Sequence, residues 1–372
     1  MFPALLTPLP PRLDRRLKAT TFGLIFSIFP SLRRLPMGQP LRRRIGDLLR
    51  ISLLGRGVLL LLLAYSLLRR RRLVCLTARH GQMGNRLLLS AHVIATAIQN
   101  RMELINLSFD EYTTFFKGSS EDVWFRFPRR ATPYLRRWPS LRRLNLYLLH
   151  AASQVIPVNR GTGLIQKYQL PEPEPIFDCG AATFQEALLR SRVLFLNGWS
   201  YRNHEQVALH AEVIRRHLEP RADIAAECRD LHRTLREGLD VLIGIHIRQG
   251  DYRTAWGGKL YYSTEQYAMW MRMLPALFPG QRVGFFIASN ERQDPTLFDG
   301  LDCRLPPLAA THRRNETPIY DLVLLSGCDY LLGPPSSFSG WASFAGQVPL
   351  YFLRGEETAL RLEDFAVYRL PG

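Results

Sequence analysis

The sequence predicts an α/β protein with two domains, each built on a mainly parallel sheet. Short apolar runs at residues 73–77, 193–199 and 241–247 end in glycine-containing or polar turns, which is typical of buried parallel strands. Helical patterns lie between these runs, so that strand, turn, helix and strand alternate as βαβ units. The chain has 372 residues, 47% of them hydrophobic, which is enough to bury two domain-sized cores.

Most of the positive charge lies in an N-terminal arm, residues 1–72. This arm carries fifteen Arg or Lys and two Asp, a net +13 out of a total of +17. Two apolar runs in the arm, residues 21–32 and 57–68, are flanked by arginines. The second would be about 18 Å long as a helix, whereas a bilayer-spanning helix needs roughly 20 residues. We therefore expect amphipathic helices on an anionic membrane surface.

On this interpretation the protein is cytoplasmic and peripherally membrane-associated, and removing residues 1–70 leaves a soluble, functional remainder. A single-pass span and a helical face that covers the folded domains are the alternatives. A secretory signal peptide fits poorly, because no small-residue cleavage site follows the second apolar run.

The rest of the composition argues against a disulfide-rich or zinc-binding protein and against a nucleic-acid-binding protein. Five cysteines are scattered without a CxxC pair, which indicates a reducing compartment and neither a disulfide framework nor a zinc site. The basic clusters alternate with Leu and Ile rather than with stacking aromatic residues, so that nucleic acid is not an expected partner.

The turn after the first predicted strand contains Gly81, Gly84 and Asn85. Glycines at such a turn let backbone N–H groups approach an anion, or simply let the chain turn tightly into a helix. Arg79-His80-Gly81 resembles the Arg-His-Gly motif of histidine phosphatases. That family also needs a late His-Gly, whereas His246 and His312 are not followed by glycine.

The stretch from Val241 to Tyr252 is the most informative part of the chain. Period two along the strand puts His246 and Arg248 on one face, and Gly250 with Asp251 then forms a tight turn. An imidazole and a guanidinium at the carboxyl end of a parallel strand lie where open α/β sheets bind anionic ligands. The alternative is a core strand that ends in a solvated polar turn.

His-x-Arg followed by Asp251 resembles the signature of fucosyltransferases that use GDP-fucose, in the α-1,2, α-1,6 and protein-O groups. The chain departs from it at Gln249, where a second arginine is usual, so that Arg248 is the only guanidinium of the motif. The glycine turn resembles the first-strand loop of the α-1,2 enzymes, written G-G-x-G-N.

A third block, residues 321–342, follows the C-terminal motif of the same superfamily. It contains Asp321, Asp329, the pair Ser336-Ser337 and Trp341. The resemblance implies that Asp321 reads the guanine and that the serines reach the diphosphate. On chemistry alone, one carboxylate can accept N–H donors from guanine N1 and N2. The serines could also be simple N-caps.

Together the three blocks imply the GT-B arrangement, with two Rossmann-like domains facing each other across a cleft behind a basic, apolar helical arm. The domains would be residues 73–203, which bind the acceptor, and residues 204–372, which bind GDP-fucose. The implied reaction is inverting transfer of L-fucose from GDP-β-L-fucose to a sugar hydroxyl of a glycan, closest to the α-1,2 family. No cofactor and no metal are expected, since no Asp-x-Asp follows a strand.

The predicted site falls into three groups. The catalytic group is Arg248, His246 and Asp251. The donor-binding group adds Asp321, Ser336, Ser337, Gly81, Gly84 and Asn85. The acceptor candidates are Asp110, Glu111 and Tyr112. Use of another nucleotide sugar, and nucleotide-sugar binding without catalysis, remain alternatives.

Overall fold

The structure is a computed structural model. It describes residues 41–77, 79–109, 111–122, 124–130, 139–158, 163–171, 175–304, 318–355 and 359–370. The predicted apolar run 21–32, the acceptor candidate Asp110 and the late histidine His312 lie outside these ranges.

The first sheet has five strands, four of them parallel. In chain order they are β1 (Leu73–Leu76), β2 (Glu103–Asn106), the antiparallel β3 (Arg126–Phe127), β4 (Ile165–Gln169) and β6 (Val193–Asn197). The short strand β5 (Phe177–Asp178) comes between β4 and β6 in the chain but is not part of this sheet. The spatial order is β3-β2-β1-β6-β4, and β5 pairs separately with β7 (Tyr201–Arg202). β1 therefore lies at a switch point, where neighbouring strands leave on opposite sides.

Seven helices precede the second sheet within the described ranges. They are α1 (Leu41–Leu68), α2 (Met83–Gln99), α3 (Pro139–Gln154), α4 (Ala182–Arg190), α5 (His204–Leu209), α6 (Ala211–His217) and α7 (Ala222–Leu235).

The second sheet has six strands, and it is parallel except at one edge. Its strands are β8 (Val241–Ile247), β9 (Val283–Ser289), β10 (Cys303–Arg304), β11 (Tyr330–Gly333), β12 (Pro349–Phe352) and the antiparallel β13 (Ala366–Val367). The order β10-β9-β8-β11-β12-β13 puts β8 at a second switch point. The helices are α8 (Thr264–Met273), α9 (Ile319–Leu325) and α10 (Ser337–Gly346).

One hydrophobic cluster joins the inner faces of the two sheets. It contains Leu76 of β1 and Leu242 of β8, together with apolar residues of α2, α7, α9 and α10. Alternate residues of β8, such as Ile243 and Ile245, face the opposite way and pack against α8. We call the part of the chain up to residue 203 the first lobe and the rest the second lobe. The two lobes are packed on each other through helices.

Helix α1 differs from the predicted separate arm, because one of its faces packs on the first sheet. Leu62 is buried with Leu73 and Cys75 of β1, and the Tyr65 hydroxyl donates to buried Glu103 of β2 at 2.8 Å. The stretch that contains the predicted apolar run 57–68 thus covers the outer face of the first lobe. No helix in the described ranges has both the length and the hydropathy that crossing a membrane requires.

The three predicted apolar runs all form strands. Run 241–247 has the predicted bounds, whereas runs 73–77 and 193–199 give the slightly shorter strands Leu73–Leu76 and Val193–Asn197. Ser263 begins α8 with a capping box, because its side chain accepts from the Gln266 backbone while the Gln266 side chain accepts from the Ser263 backbone. The mixed α/β class with mainly parallel sheets is likewise confirmed.

Candidate functional site

The site begins at the carboxyl end of β8, where the chain turns sharply. Gln249 is only 4% exposed, and its backbone N–H donates to the Asn290 side chain just after β9 at 2.8 Å. Its side-chain amide donates to the Tyr262 carbonyl at 3.1 Å and accepts from Gln293 at 3.0 Å. The residue that replaces the usual second arginine is therefore an internal brace for the turn.

Arg248, by contrast, points to the boundary between the lobes. Its Nη2 lies 2.9 Å and 3.0 Å from the two carboxylate oxygens of Asp251. Its Nη1 donates to the side-chain oxygen of Gln82, in the first lobe, at 3.2 Å. The guanidinium carbon lies 5.7 Å from the centre of the Tyr252 ring, a cation–π distance. The fixed charge of Arg248 is thus held by contacts to both lobes.

Tyr252 connects this guanidinium to the loop that carries the serine pair. Its ring lies beside Arg248, and its hydroxyl donates to the Pro335 carbonyl at 2.7 Å. Because Ser336 follows Pro335 directly, one tyrosine ties the guanidinium region to the start of α10.

His246 lies on the same face of β8 as Arg248 and is buried. Its ring centre is 5.2 Å from that of Phe338, and its Nδ1 has no hydrogen-bond partner among the described residues. Burial lowers the pKa of His246 to about 3, and the charge of Arg248 acts in the same direction. The imidazole is therefore neutral near pH 7, which makes it a hydrogen-bonding group rather than an effective proton acceptor.

The glycine turn of the first lobe meets the second lobe directly. Gly81 has a φ of +61°, and a Cβ there would lie 2.1 Å from the Asn85 side-chain nitrogen. A Cβ on Gly84 would lie 2.7 Å from the backbone nitrogen of Phe338. Asn85 accepts a hydrogen bond from the Ser337 hydroxyl at 2.5 Å. Gly84 and Asn85, predicted to bind the donor, here hold α2 against α10.

Two helix N-termini consequently converge beside Arg248. Gln82 is the N-cap of α2, but its side chain makes no capping hydrogen bond and instead accepts from Arg248. Ser336 is the N-cap of α10, and its hydroxyl accepts from the Phe338 N–H at 3.2 Å. Neither helix has an acidic residue in its first turn. Two positive dipole ends and one guanidinium therefore favour an anion here.

Asp321 lies in the first turn of α9, toward the same edge of the second sheet. Leu325 of that helix packs over Gly244 of β8, and Asp321 is one turn, about 6 Å, nearer the carboxyl end of the strand. Burial raises the pKa of the Cys228 thiol to about 12, with the charges of Glu227 and Asp321 adding to the effect. Asp321 therefore stands beside Cys228 of α7.

Two of the acceptor candidates, Glu111 and Tyr112, contact Arg86, a residue that sequence reasoning missed. Arg86 is buried in the first lobe and donates from Nε to the Gly81 carbonyl at 3.2 Å. It lies 3.3 Å from the Glu111 carboxylate and 5.0 Å from the centre of the Tyr112 ring. Glu111 also lies 3.5 Å from Arg79. Glu111 and Tyr112 thus border the glycine turn.

His80 is the nucleophile that a phosphatase interpretation requires. The residue is half-buried, and its Nε2 is buried without a hydrogen-bond partner among the described residues. Within the same ranges, no group of three or more His, Cys, Asp or Glu is placed to hold a metal ion.

No protein-family model matches the chain, and no curated protein matches its sequence. The solved structures similar to it include a mutant of Arabidopsis thaliana FUT1 in complex with GDP, at 12% identity and a TM-score of 0.48, covering 80% of this chain and 74% of that one. NodZ α-1,6-fucosyltransferase soaked with GDP-fucose shows 19% identity, a TM-score of 0.46 and coverages of 79% and 97%; NodZ is a Bradyrhizobium protein. POFUT1 in complex with GDP shows 10% identity, a TM-score of 0.45 and coverages of 77% and 98%. At such low similarity, this chain's own residues must carry the functional inference.

Proposed function

We propose that this chain is a metal-independent, inverting glycosyltransferase that moves L-fucose from GDP-β-L-fucose to a sugar hydroxyl of a glycan acceptor. The observation that carries the proposal is Arg248, which is held at the lobe boundary beside two converging helix N-termini. The three sequence blocks supply the identity of the donor, and the α-1,2 linkage is the finer part of the proposal.

The chemistry requires a group that neutralises the departing diphosphate. As the acceptor oxygen bonds to C1 of fucose, the bond from C1 to the β-phosphate oxygen breaks and GDP leaves with the electron pair. Negative charge grows on that oxygen, so Arg248 stabilises the transition state more than the ground state. A guanidinium suits this task because it is always charged and can bind two oxygens at once.

The other residues divide between nucleotide and acceptor. The buried Nδ1 of neutral His246 has no hydrogen-bond partner among the described residues, and we assign it a hydrogen bond to the nucleotide. Asp321 is our candidate to read guanine. Asp251 fixes the guanidinium through its ion pair. Its side chain is 59% exposed, and it is our candidate to take the proton of the acceptor hydroxyl.

Gln249 gives no reason to expect lost activity. A binding protein without catalysis would be favoured if the missing second arginine removed a phosphate contact. The Gln249 side chain is instead buried in the brace to Tyr262 and Gln293. The motif change therefore leaves Arg248, whose side chain is 17% exposed, as the guanidinium that the motif presents to a ligand.

The test is release of GDP from GDP-fucose in the presence of galactose-, glucosamine- and peptide-terminated acceptors. We expect Arg248→Ala and Arg248→Lys to lose about 10²–10³ in kcat, as removal of one oriented donor does elsewhere. Arg282→Ala is the matched control. Arg282 lies before the amino end of β9, away from the carboxyl ends of the strands where Arg248 lies, and its side chain is 70% exposed. A lysine variant with near-normal turnover would contradict a two-point contact.

The donor base is tested separately by calorimetry with GDP, UDP and ADP. We expect GDP to bind most tightly and Asp321→Asn to reduce that preference. Equal affinities for the three nucleotides would favour another nucleotide sugar as donor. GDP binding without transfer to any acceptor, in a chain whose Arg248→Ala variant behaves identically, would favour a non-catalytic protein.

A further inference from the structure

The outward face of α1 carries an unusual stripe of leucines. Three pairs recur every seven residues, and each leucine exposes between 45% and 84% of its surface: Leu53, Leu54, Leu60, Leu61, Leu67 and Leu68. Exposed Gly57 and Ala64 lie between the pairs. Seven residues are close to two helical turns, so the pairs line up over about 22 Å. A contiguous apolar patch of this kind marks an interaction site.

The opposite face of α1 is fixed to the first lobe from Gly55 to Ser66. Leu62 is 3% exposed, and the buried Ser66 hydroxyl donates to the Arg71 carbonyl at 2.6 Å. A Cβ on Gly55 would lie 2.6 Å from the Ala151 carbonyl oxygen of α3. The helix therefore cannot insert lengthwise into a bilayer without leaving the sheet it covers, and a partner must approach from the side.

The charge around the stripe determines what that partner is. Residues 41–72 contain nine arginines and one acidic residue, Asp47. Arg56, Arg69 and Arg71 are exposed beside the leucines or at the end of the helix. A second copy of the chain would bring arginines against arginines, which opposes association. A partner that is both apolar and anionic has the complementary chemistry.

We propose that the outward face of α1 binds an anionic lipid surface, with the helix parallel to the membrane plane. The leucines enter the boundary between headgroups and acyl chains, and the arginines contact anionic headgroups. The proposal does not depend on the proposed transfer reaction, because α1 lies on the outer face of the first lobe whereas Arg248 lies at the boundary between the lobes.

The experiment is co-sedimentation of the full chain with vesicles of phosphatidylcholine alone or of phosphatidylcholine with about 30% phosphatidylglycerol, which gives the surface a negative potential. We expect binding to the anionic vesicles only, weakened by salt. Leu60→Ser with Leu61→Ser should lower the partition coefficient at least about tenfold. Arg69→Gln with Arg71→Gln should lower it about 30-fold, since each arginine near an anionic surface contributes roughly fivefold.

Two exposed residues elsewhere serve as controls. Leu209→Ser removes a leucine that is 71% exposed on α5, and Arg233→Gln removes a charge on α7 whose side chain is 80% exposed. Both variants should bind like the wild type, and circular dichroism should show every variant folded. Equal binding by the wild type and the Leu60/Leu61 variant would overturn the proposal. So would a dimer in sedimentation velocity that dissociates in that variant, because it would show that a second copy covers the stripe.

Discussion

Replacing Gly84 with alanine should separate the two lobes where they touch. A Cβ at this position would lie 2.7 Å from the Phe338 nitrogen, 2.9 Å from its Cα and 2.9 Å from the Ser337 carbonyl carbon. All three are backbone atoms of α10, so no side chain can rotate out of the way. Either α2 or α10 must move.

The size of the movement follows from ordinary contact distances. Van der Waals contact begins at about 3.4 Å, so the Phe338 nitrogen must retreat by about 0.7 Å (3.4 minus 2.7). The same shift would lengthen the Arg248–Gln82 hydrogen bond from 3.2 Å to about 3.9 Å, beyond hydrogen-bonding range. Overpacking of this kind costs about 1–3 kcal/mol, and we expect GDP affinity to fall about tenfold as the two helix ends diverge.

Thermal unfolding and calorimetry with GDP measure both effects. A loss of 2 kcal/mol should lower Tm by about 2–3 °C in a chain of 372 residues, because the unfolding entropy grows with chain length. Gly57→Ala is the matched control, because a Cβ there meets nothing within 4 Å. Alanine is more favourable than glycine in a helix by up to about 1 kcal/mol, so this variant should be at least as stable as the wild type. If Gly84→Ala kept wild-type Tm and GDP affinity, the lobe contact would not position the site.

Three further predictions concern the fold and the proton acceptor. Leu62→Ala should cost about 2–5 kcal/mol in urea unfolding, whereas Leu60→Ala should stay within about 0.5 kcal/mol; equal effects would mean that α1 does not pack on the first sheet. Burial lowers the pKa of both His92 and His246 to about 3, so the unfolded chain binds these protons more tightly, and stability should fall as the pH drops from about 6.5 toward 3. Each histidine contributes up to about 1.4 kcal/mol per pH unit to this loss of unfolding free energy. If His92→Gln left the pH dependence of stability unchanged, His92 would not be buried in its neutral form. Asp251→Asn keeps a hydrogen-bond acceptor for Arg248 but removes the base, so kcat should fall about 10²–10⁴ with little change in donor KM; near-normal turnover would leave Asp251 with a positioning role alone.

The sequence allowed the second lobe to be predicted better than the first. Strands such as Val241–Ile247 are continuous apolar runs with clear ends. Ser263 is a residue type that favours the N-cap position, and it precedes α8. The first-lobe elements α3 and β4 lacked such signals. β4, Ile-Gln-Lys-Tyr-Gln, is polar for a parallel strand, because it lies at the edge of its sheet.

The site residues were predictable only where the chemistry is local. His246 and Arg248 share a face because a strand alternates, and this follows from spacing alone. The contact between Arg248 and Gln82 joins residues 166 positions apart, and the one between Ser337 and Asn85 joins residues 252 apart. Local patterns carry no information about such pairs. For the same reason the sequence left the role of α1 open, since an apolar helix rich in arginine is compatible with a membrane segment and with a cover for a sheet.

The brace formed by Gln249 bears on any attempt to engineer this motif. Restoring the usual arginine at this position would force a guanidinium into a space where the present side chain is 4% exposed and where the neighbouring groups, the Tyr262 carbonyl and the Gln293 amide, offer no counter-charge. A buried charge without a partner costs several kcal/mol. Gln249→Arg would therefore distort the turn that presents Arg248 instead of adding a second phosphate ligand. Resemblance to a consensus is a poor guide to improvement when a residue has been recruited into the scaffold.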